Sequence, residues 1–222
     1  MSEQRCVVAV DGPSGSGKST VSRRLAVALD ARYLDTGAMY RAVTWAVLRD
    51  GIDPTDAEAV AKVADNVVLT VGTDPRNPHI SVDDTPVDGP IRGAEVTAAV
   101  SPVAAVPAVR GRLVAQQREI IAAEARVVVE GRDIGTVVAP DADLKVYLTA
   151  SETERGRRRS VETATDLAAT VADLARRDSF DSSRGADPLR QADDAVVLDS
   201  TNMGIDEVVA HLTTLVDGAT RR

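Results

Sequence analysis

The sequence predicts an α/β fold, a parallel sheet flanked by helices, from three observations. Aliphatic runs of strand length alternate with segments of helical spacing, which is the pattern of parallel strands joined by crossover helices. A glycine-rich stretch follows the first aliphatic run, placing a ligand-binding turn at the carboxyl end of the first strand. Aromatic residues are scarce, with one Trp, one Phe and three Tyr among 222 residues, so the core must be built from Val, Ala, Leu and Ile. That length fits one α/β domain with small insertions.

The elements follow in order. Cys6-Val7-Val8-Ala9-Val10 reads as a buried strand, and Val21, Leu25, Ala28 and Leu29 then share one helical face. Arg32-Tyr33-Leu34-Asp35 is a second strand, and Thr36-Gly37 opens a helix through Tyr40, Val43, Val47 and Leu48. Helical spacing resumes over 57–63. The texture then changes to three short strands, 67–71, 79–82 and 85–87, separated by Gly72, by Pro75-Arg76-Asn77-Pro78 and by Asp83-Asp84. Strands this close together predict a small antiparallel insertion. Helices over about 91–106 and 108–124 come next, with breaks expected at Pro102 and Pro107. Core strands return at 127–130, 144–148 and 195–199, and a last helix spans about 205–216. Between 150 and 194 the chain is helical and rich in arginine: Arg155, Arg157, Arg158, Arg159, Arg176, Arg177, Arg184 and Arg190. Interleaved acids would make this a solvated face, but an arginine-rich hairpin between two core strands is also placed to fold over bound phosphates.

Composition excludes several functions. A net charge of −8 repels nucleic acid and anionic membrane, so neither is expected as a partner and any anionic ligand needs a local cationic cluster. The one cysteine, Cys6, is expected to be a small buried hydrophobe. His79 and His211 are far apart, which leaves little material for a zinc site or a serine–histidine–acid triad. No run approaches 18 apolar residues and no opening segment looks like a signal peptide, so a cytoplasmic location is expected.

The residues Gly12-Pro13-Ser14-Gly15-Ser16-Gly17-Lys18-Ser19-Thr20 satisfy G-x-x-x-x-G-K-[ST] at a strand-to-helix junction. Backbone N–H groups of such a loop turn onto phosphate oxygens, Lys18 reaches the β- and γ-phosphates, and the Ser19 hydroxyl is the expected Mg²⁺ ligand. The loop alone leaves GTPases, motor ATPases and small kinases open. The chain has no Asn-Lys-x-Asp to read guanine, which weighs against a GTPase. Another small kinase, or an ATP-binding module without transfer activity, stands as the alternative.

Several motifs together resemble the bacterial cytidylate kinases. They are the loop with Asp11 before it, Leu34-Asp35-Thr36-Gly37-Ala38-Met39-Tyr40-Arg41, Val87-Asp88-Gly89-Pro90-Ile91-Arg92, Glu130-Gly131-Arg132-Asp133-Ile134-Gly135-Thr136-Val137-Val138, and Val197-Leu198-Asp199-Ser200-Thr201. The resemblance implies a P-loop NTPase fold: a parallel five-stranded sheet flanked by helices, with a small antiparallel insertion and a helical lid. It implies core segments 1–65, 93–151 and 187–222, a CMP-binding insertion near 66–92 and a lid near 152–186. The implied reaction is transfer of the ATP γ-phosphoryl group to CMP or dCMP with Mg²⁺, by a monomer.

Carried over position by position, the resemblance makes Thr36, Tyr40, Arg41 and Arg132 partners of the monophosphate. It makes Ser101, Arg110 and Asp133 readers of cytosine with Arg184 nearby, and Arg177, Asp181 and Arg184 ribose and lid residues. Lys18, Arg132, Arg177 and Arg184 are the implied catalytic cations, and Arg157 and Arg158 join the loop in holding ATP. Phe180 and Ser182 stand where other members often carry arginines.

Overall fold

The computed structural model describes residues 5–163, 165–183, 185 and 187–219; Arg184 lies outside them. In chain order the elements begin with β1 (Cys6–Asp11), α1 (Lys18–Ala28), β2 (Arg32–Asp35), α2 (Thr36–Arg49), α3 (Ala57–Asn66), β3 (Leu69–Val71), β4 (Ile80–Val82) and β5 (Thr85–Pro86). They continue with α4 (Ala94–Ala105), α5 (Pro107–Ala123), β6 (Arg126–Gly131), β7 (Leu144–Thr149), α6 (Glu152–Thr163), α7 (Leu167–Ser183), β8 (Val196–Asp199) and α8 (Ile205–Ala219). The chain divides into two compact units, residues 1–33 with 124–222, and residues 34–123.

The first unit is built on a five-stranded sheet in the order β2-β6-β1-β7-β8. β1 pairs parallel with β6 and β7, and β7 pairs parallel with β8. All six residues of β1 are buried, as a central strand clad on both faces requires, which is why it reads as an unbroken apolar run. Against β1 and β7 pack Val21 and Leu25 of α1 and Val208, Leu212 and Val216 of α8, the latter spaced at i, i+4 and i+8. Cys6 sits in this core as a buried free thiol, its pKa raised by burial. His211 is exposed. The register Asp11↔Gly131 sets the turns leaving β1 and β6 side by side at the carboxyl end of the sheet. A π-helical turn, Ile134–Val138, which the sequence pattern does not announce, follows the second of them.

The second unit packs helices α2 to α5 with an antiparallel sheet in the order β3-β4-β5. Its register is Leu69↔Val82, Thr70↔Ser81 and Val71↔Ile80, so the expected antiparallel strands form. His79, exposed, precedes β4. The expected helix break at Pro102 does not occur. α4 starts at Ala94, after a 3₁₀ turn at Pro90–Arg92, and runs through Pro102. The proline falls in the last turn, where only one ladder bond is lost, and the buried Val96, Val100 and Val103 offset a cost of about 3 kcal/mol. Pro107 does mark a boundary, because as the first residue of α5 its missing N–H costs nothing. The chain bends by 93° between α4 and α5, and among the described residues no single helix is long and apolar enough to cross a membrane.

Candidate active site

In the first unit the glycine-rich loop leads from β1 directly into α1. Gly12, Gly15 and Gly17 have φ of 151°, 75° and 88°, and Gly17 caps α1 without any side-chain hydrogen bond. The α1 amides are therefore left for a ligand. Lys18 is buried, and its Nζ donates to the Pro13 carbonyl at 2.8 Å and to Ser16 Oγ at 3.5 Å. Burial first, and the neighbouring Arg132 second, push its pKa down to about 7, against the pull of Glu130, Asp11 and Asp178. Ser19 Oγ donates to Glu130 Oε2 at 3.1 Å, and the Tyr33 hydroxyl donates to the other oxygen of the same buried carboxylate.

Arg132 and Asp133 leave β6 on a turn that Asp11 holds. The two oxygens of Asp11 accept the N–H groups of Ile134 and Gly135, both at 2.8 Å. Burial lifts the Asp11 pKa to about 6, although both amides favour the carboxylate. Asp11→Asn should cost about 1–3 kcal/mol, because the new NH₂ would face one of these donors. Chemical denaturation of wild type and variant checks this, and an unchanged midpoint would show that the turn holds itself.

Arg132 then bridges outward, with Nη2 donating to Ser14 Oγ at 2.7 Å and Nε to Asp181 Oδ2 at 3.1 Å. Arg177 is half-buried on α7. Burial and Arg132 lower its pKa, and its Nε has no hydrogen-bond partner among the described residues. Arg158 donates to the Ser16 carbonyl at 3.3 Å and to the Ser200 carbonyl at 2.7 Å. Arg157 is instead exposed and forks onto Glu154, whose pKa Arg157, with Arg158, holds down to about 2. Thus Lys18, Ser19, Arg132, Arg158, Arg177 and Asp181 gather near the loop or its immediate partners, Arg157 points to solvent, and Asp133 is buried beside Arg132 in the chain.

Two residues that sequence reasoning left unassigned complete the surroundings of the loop. Arg155 and Asp178 both bond to Ser14. A local signal existed in Gly156, where a Cβ would lie 2.3 Å from Val171 Cγ2. A glycine within an arginine-rich helix marks the close crossing of α6 on α7 and hence which helix face turns inward.

The second unit holds the remaining candidates. Asp35 caps α2 by accepting from the Ala38 N–H at 2.9 Å, and the buried Thr36 is the helix's first residue. The Arg110 guanidinium lies over the Tyr40 ring, 5.6 Å from its centroid, and donates to the Ala104 carbonyl at 3.4 Å. Arg41 Nη1 donates to the Ile91 carbonyl at 3.0 Å and to Thr97 Oγ1 at 2.9 Å. Ser101 is buried on α4.

A family model described as cytidylate kinase matches residues 8–218. The chain belongs to the cytidylate kinase family. The cytidylate kinase of Rhodococcus jostii (strain RHA1) is 52% identical over 225 residues, covering 99% of this chain and 98% of that protein. That of Nocardia farcinica is 54% identical over 215 residues, covering 95% and 93%. Among solved structures, an uncharacterized protein from Eubacterium ventriosum superposes with a TM-score of 0.52 at 10% identity, covering 96% of this chain and 99% of that one. That likeness concerns the fold alone. Family membership makes the chain a kinase with a nucleotide-binding phosphate loop.

Proposed function

We propose that the chain transfers the γ-phosphoryl group of ATP to CMP or dCMP, giving ADP and CDP or dCDP. The observation that carries this reading is the cation cluster in the first unit. Arg132 adds to burial in lowering the pKa of both Lys18 and Arg177, and the buried Nε of Arg177 has no hydrogen-bond partner among the described residues. Such a cluster is relieved by a polyanion. The names of the relatives support cytidine monophosphate as acceptor.

On this reading the loop from Gly12 to Thr20, with Arg157 and Arg158, holds ATP. Thr36, Tyr40, Arg41 and Arg132 take the acceptor phosphate, whose oxygen attacks the γ-phosphorus while the bond to the β-phosphate oxygen breaks and ADP leaves. Acceptor phosphate is already anionic at neutral pH, so no strong base is needed. Lys18, Arg132, Arg177 and Arg184 neutralise the transferring group, and Asp181 accepts from the ribose hydroxyls. Ser19 Oγ and the Glu130 carboxylate are hard oxygen donors of the kind that hold Mg²⁺. When bound, that ion neutralises charge on the triphosphate. We assign acceptor binding also to the insertion near 66–92 and lid closure to the segment near 152–186, which contains the hairpin α6–α7. We read the protein as a cytoplasmic monomer acting in pyrimidine nucleotide metabolism, with no nucleic-acid or membrane partner.

A coupled ADP-release assay across CMP, dCMP, UMP and shikimate at fixed MgATP tests the proposal. CMP and dCMP should support turnover, and a preference for UMP or shikimate would overturn it. ATP binding with no ADP formed when CMP is added would favour the binding-module alternative. For base selection, Asp133 is assigned to accept from the cytosine amine, with Ser101 and Arg110 serving the ring acceptors. Uracil offers an oxygen there, at a cost of about 1–3 kcal/mol. Asp133→Asn should therefore narrow the ratio of kcat/KM for CMP over UMP, since an amide can also donate. An unchanged ratio would place base reading elsewhere.

A further inference from the structure

A loop with three positive-φ glycines has many conformations open to it, and the cap of α1 supplies no side-chain bond. Something else must hold its backbone in one of them. The described contacts converge on Ser14. Its N–H donates to Asp178 Oδ1 at 2.9 Å, and its carbonyl accepts from Arg155 Nη1 at 2.8 Å. Arg155 Nη1 also pairs with Asp178 Oδ2, and Arg155 Nε donates to the Ala150 carbonyl at 3.2 Å. A ring thus closes around a single loop residue, from Ser14 N–H through the Asp178 carboxylate and the Arg155 guanidinium to the Ser14 carbonyl. The pair is well shielded, with side-chain exposures of 9% for Arg155 and 17% for Asp178, so its geometry is not diluted by water.

We propose that Arg155 and Asp178 form a positioning pair through which the hairpin α6–α7 sets the phosphate loop, by fixing both backbone groups of Ser14. Neither residue needs to touch substrate. Their effect passes outward through the Ser14 side chain, whose Oγ accepts from Arg132 at 2.7 Å. The loop and one of the assigned acceptor cations are therefore aligned by the same residue. Because the bonds to Ser14 come from both helices of the hairpin, moving the hairpin must either carry the loop with it or break the ring. The inference rests on the reading that the loop holds the triphosphate.

The test uses the full chain and four variants: Asp178→Ala, Arg155→Ala, the double variant, and Asp178→Asn. The last keeps an acceptor for the Ser14 amide but removes the charge pair. Steady-state kcat/KM for ATP at saturating CMP should fall about 100-fold in either alanine variant, the scale of a small misplacement of reacting groups. The double variant should fall no further than a single one, since both residues act on one element. Asp178→Asn should lie between wild type and Asp178→Ala. Losses that multiply in the double variant, or kcat/KM within twofold of wild type alongside a lowered melting temperature, would overturn the proposal. If the alanine variants do not fold, the amide spectrum of the ligand-free protein decides. The Ser14 resonance should move upfield in Asp178→Asn, and a fixed resonance defeats the proposal. That spectrum requires no turnover, so failure of the kinase reading and failure of the positioning pair remain distinguishable.

Discussion

Replacing Lys18 with alanine is expected to lower kcat by about 10²–10³-fold, the scale set by removing one preorganised donor from a developing charge. The melting temperature should hold or rise. Lys18 is a buried ammonium whose charge is opposed by burial and by Arg132. Its bonds to the Pro13 carbonyl and Ser16 Oγ satisfy the amine rather than pack the core, so deletion removes a strained charge and leaves the sheet intact. The coupled assay and a thermal melt measure both effects. A variant that fails to fold would count against the assignment.

The same residue fixes a pH dependence. With its ligand-free pKa near 7 against 10.5 in an open chain, Lys18 loses its proton on folding throughout that interval. Folding stability from this group therefore rises as pH climbs from about 7 toward 10.5, and the penalty is fully present below 7. A bound triphosphate favours the charged amine and raises its pKa again, so binding takes up part of a proton at pH 8. Affinity should weaken as pH rises from 7 to 9. Calorimetry in two buffers of different ionisation enthalpy reads the uptake, which should vanish in Lys18→Ala. Uptake that persists there would move the titration to another group.

What could be read before the structure divides along physical lines. β1 and β6 are buried on both faces, so each announces itself as a continuous aliphatic run, whereas β7 alternates Leu144, Val146 and Leu148 with Lys145 and Tyr147; the loop between β1 and α1 has a fixed local spacing. Arg132 and Asp133 were legible because they follow a strand end within one motif. The ring around Ser14 was not, because it joins residues 141 and 164 positions apart, and no local pattern encodes a closure of that length. The arginine-rich segment shows the same limit. Arg155 and Arg158 turn toward the loop while Arg157 between them faces solvent, a difference set by how α6 lies on α7. Pro102 misled for the opposite reason, since a local rule about helix breaks yields to the burial of its neighbours.

Gly12→Ala is the second large effect expected, and it should act on folding before it acts on chemistry. Gly12 has φ of 151° and a Cβ built there would stand 2.1 Å from the Leu148 carbonyl oxygen, well inside any tolerable contact. Leu148 belongs to β7, fully buried and paired with both β1 and β8, so the obstacle is backbone that cannot rotate away. Either the loop leaves the sheet end or β7 shifts, and each outcome breaks parallel pairing in the core. A loss of about 4 kcal/mol or more is expected, the range reserved for such named collisions, with kinase activity lost in whatever fraction remains folded. Gly51→Ala is the comparison without a collision, because Gly51 has a left-handed φ of 68° and nothing lies within 4 Å of its would-be Cβ. There only backbone strain is added, and a cost of about 1 kcal/mol should result. Denaturation midpoints of the two variants check this: equal losses would defeat the close approach of β7 as a cause, whereas a much larger loss at Gly12 is expected from that approach together with a φ beyond the left-handed region that Gly51 occupies.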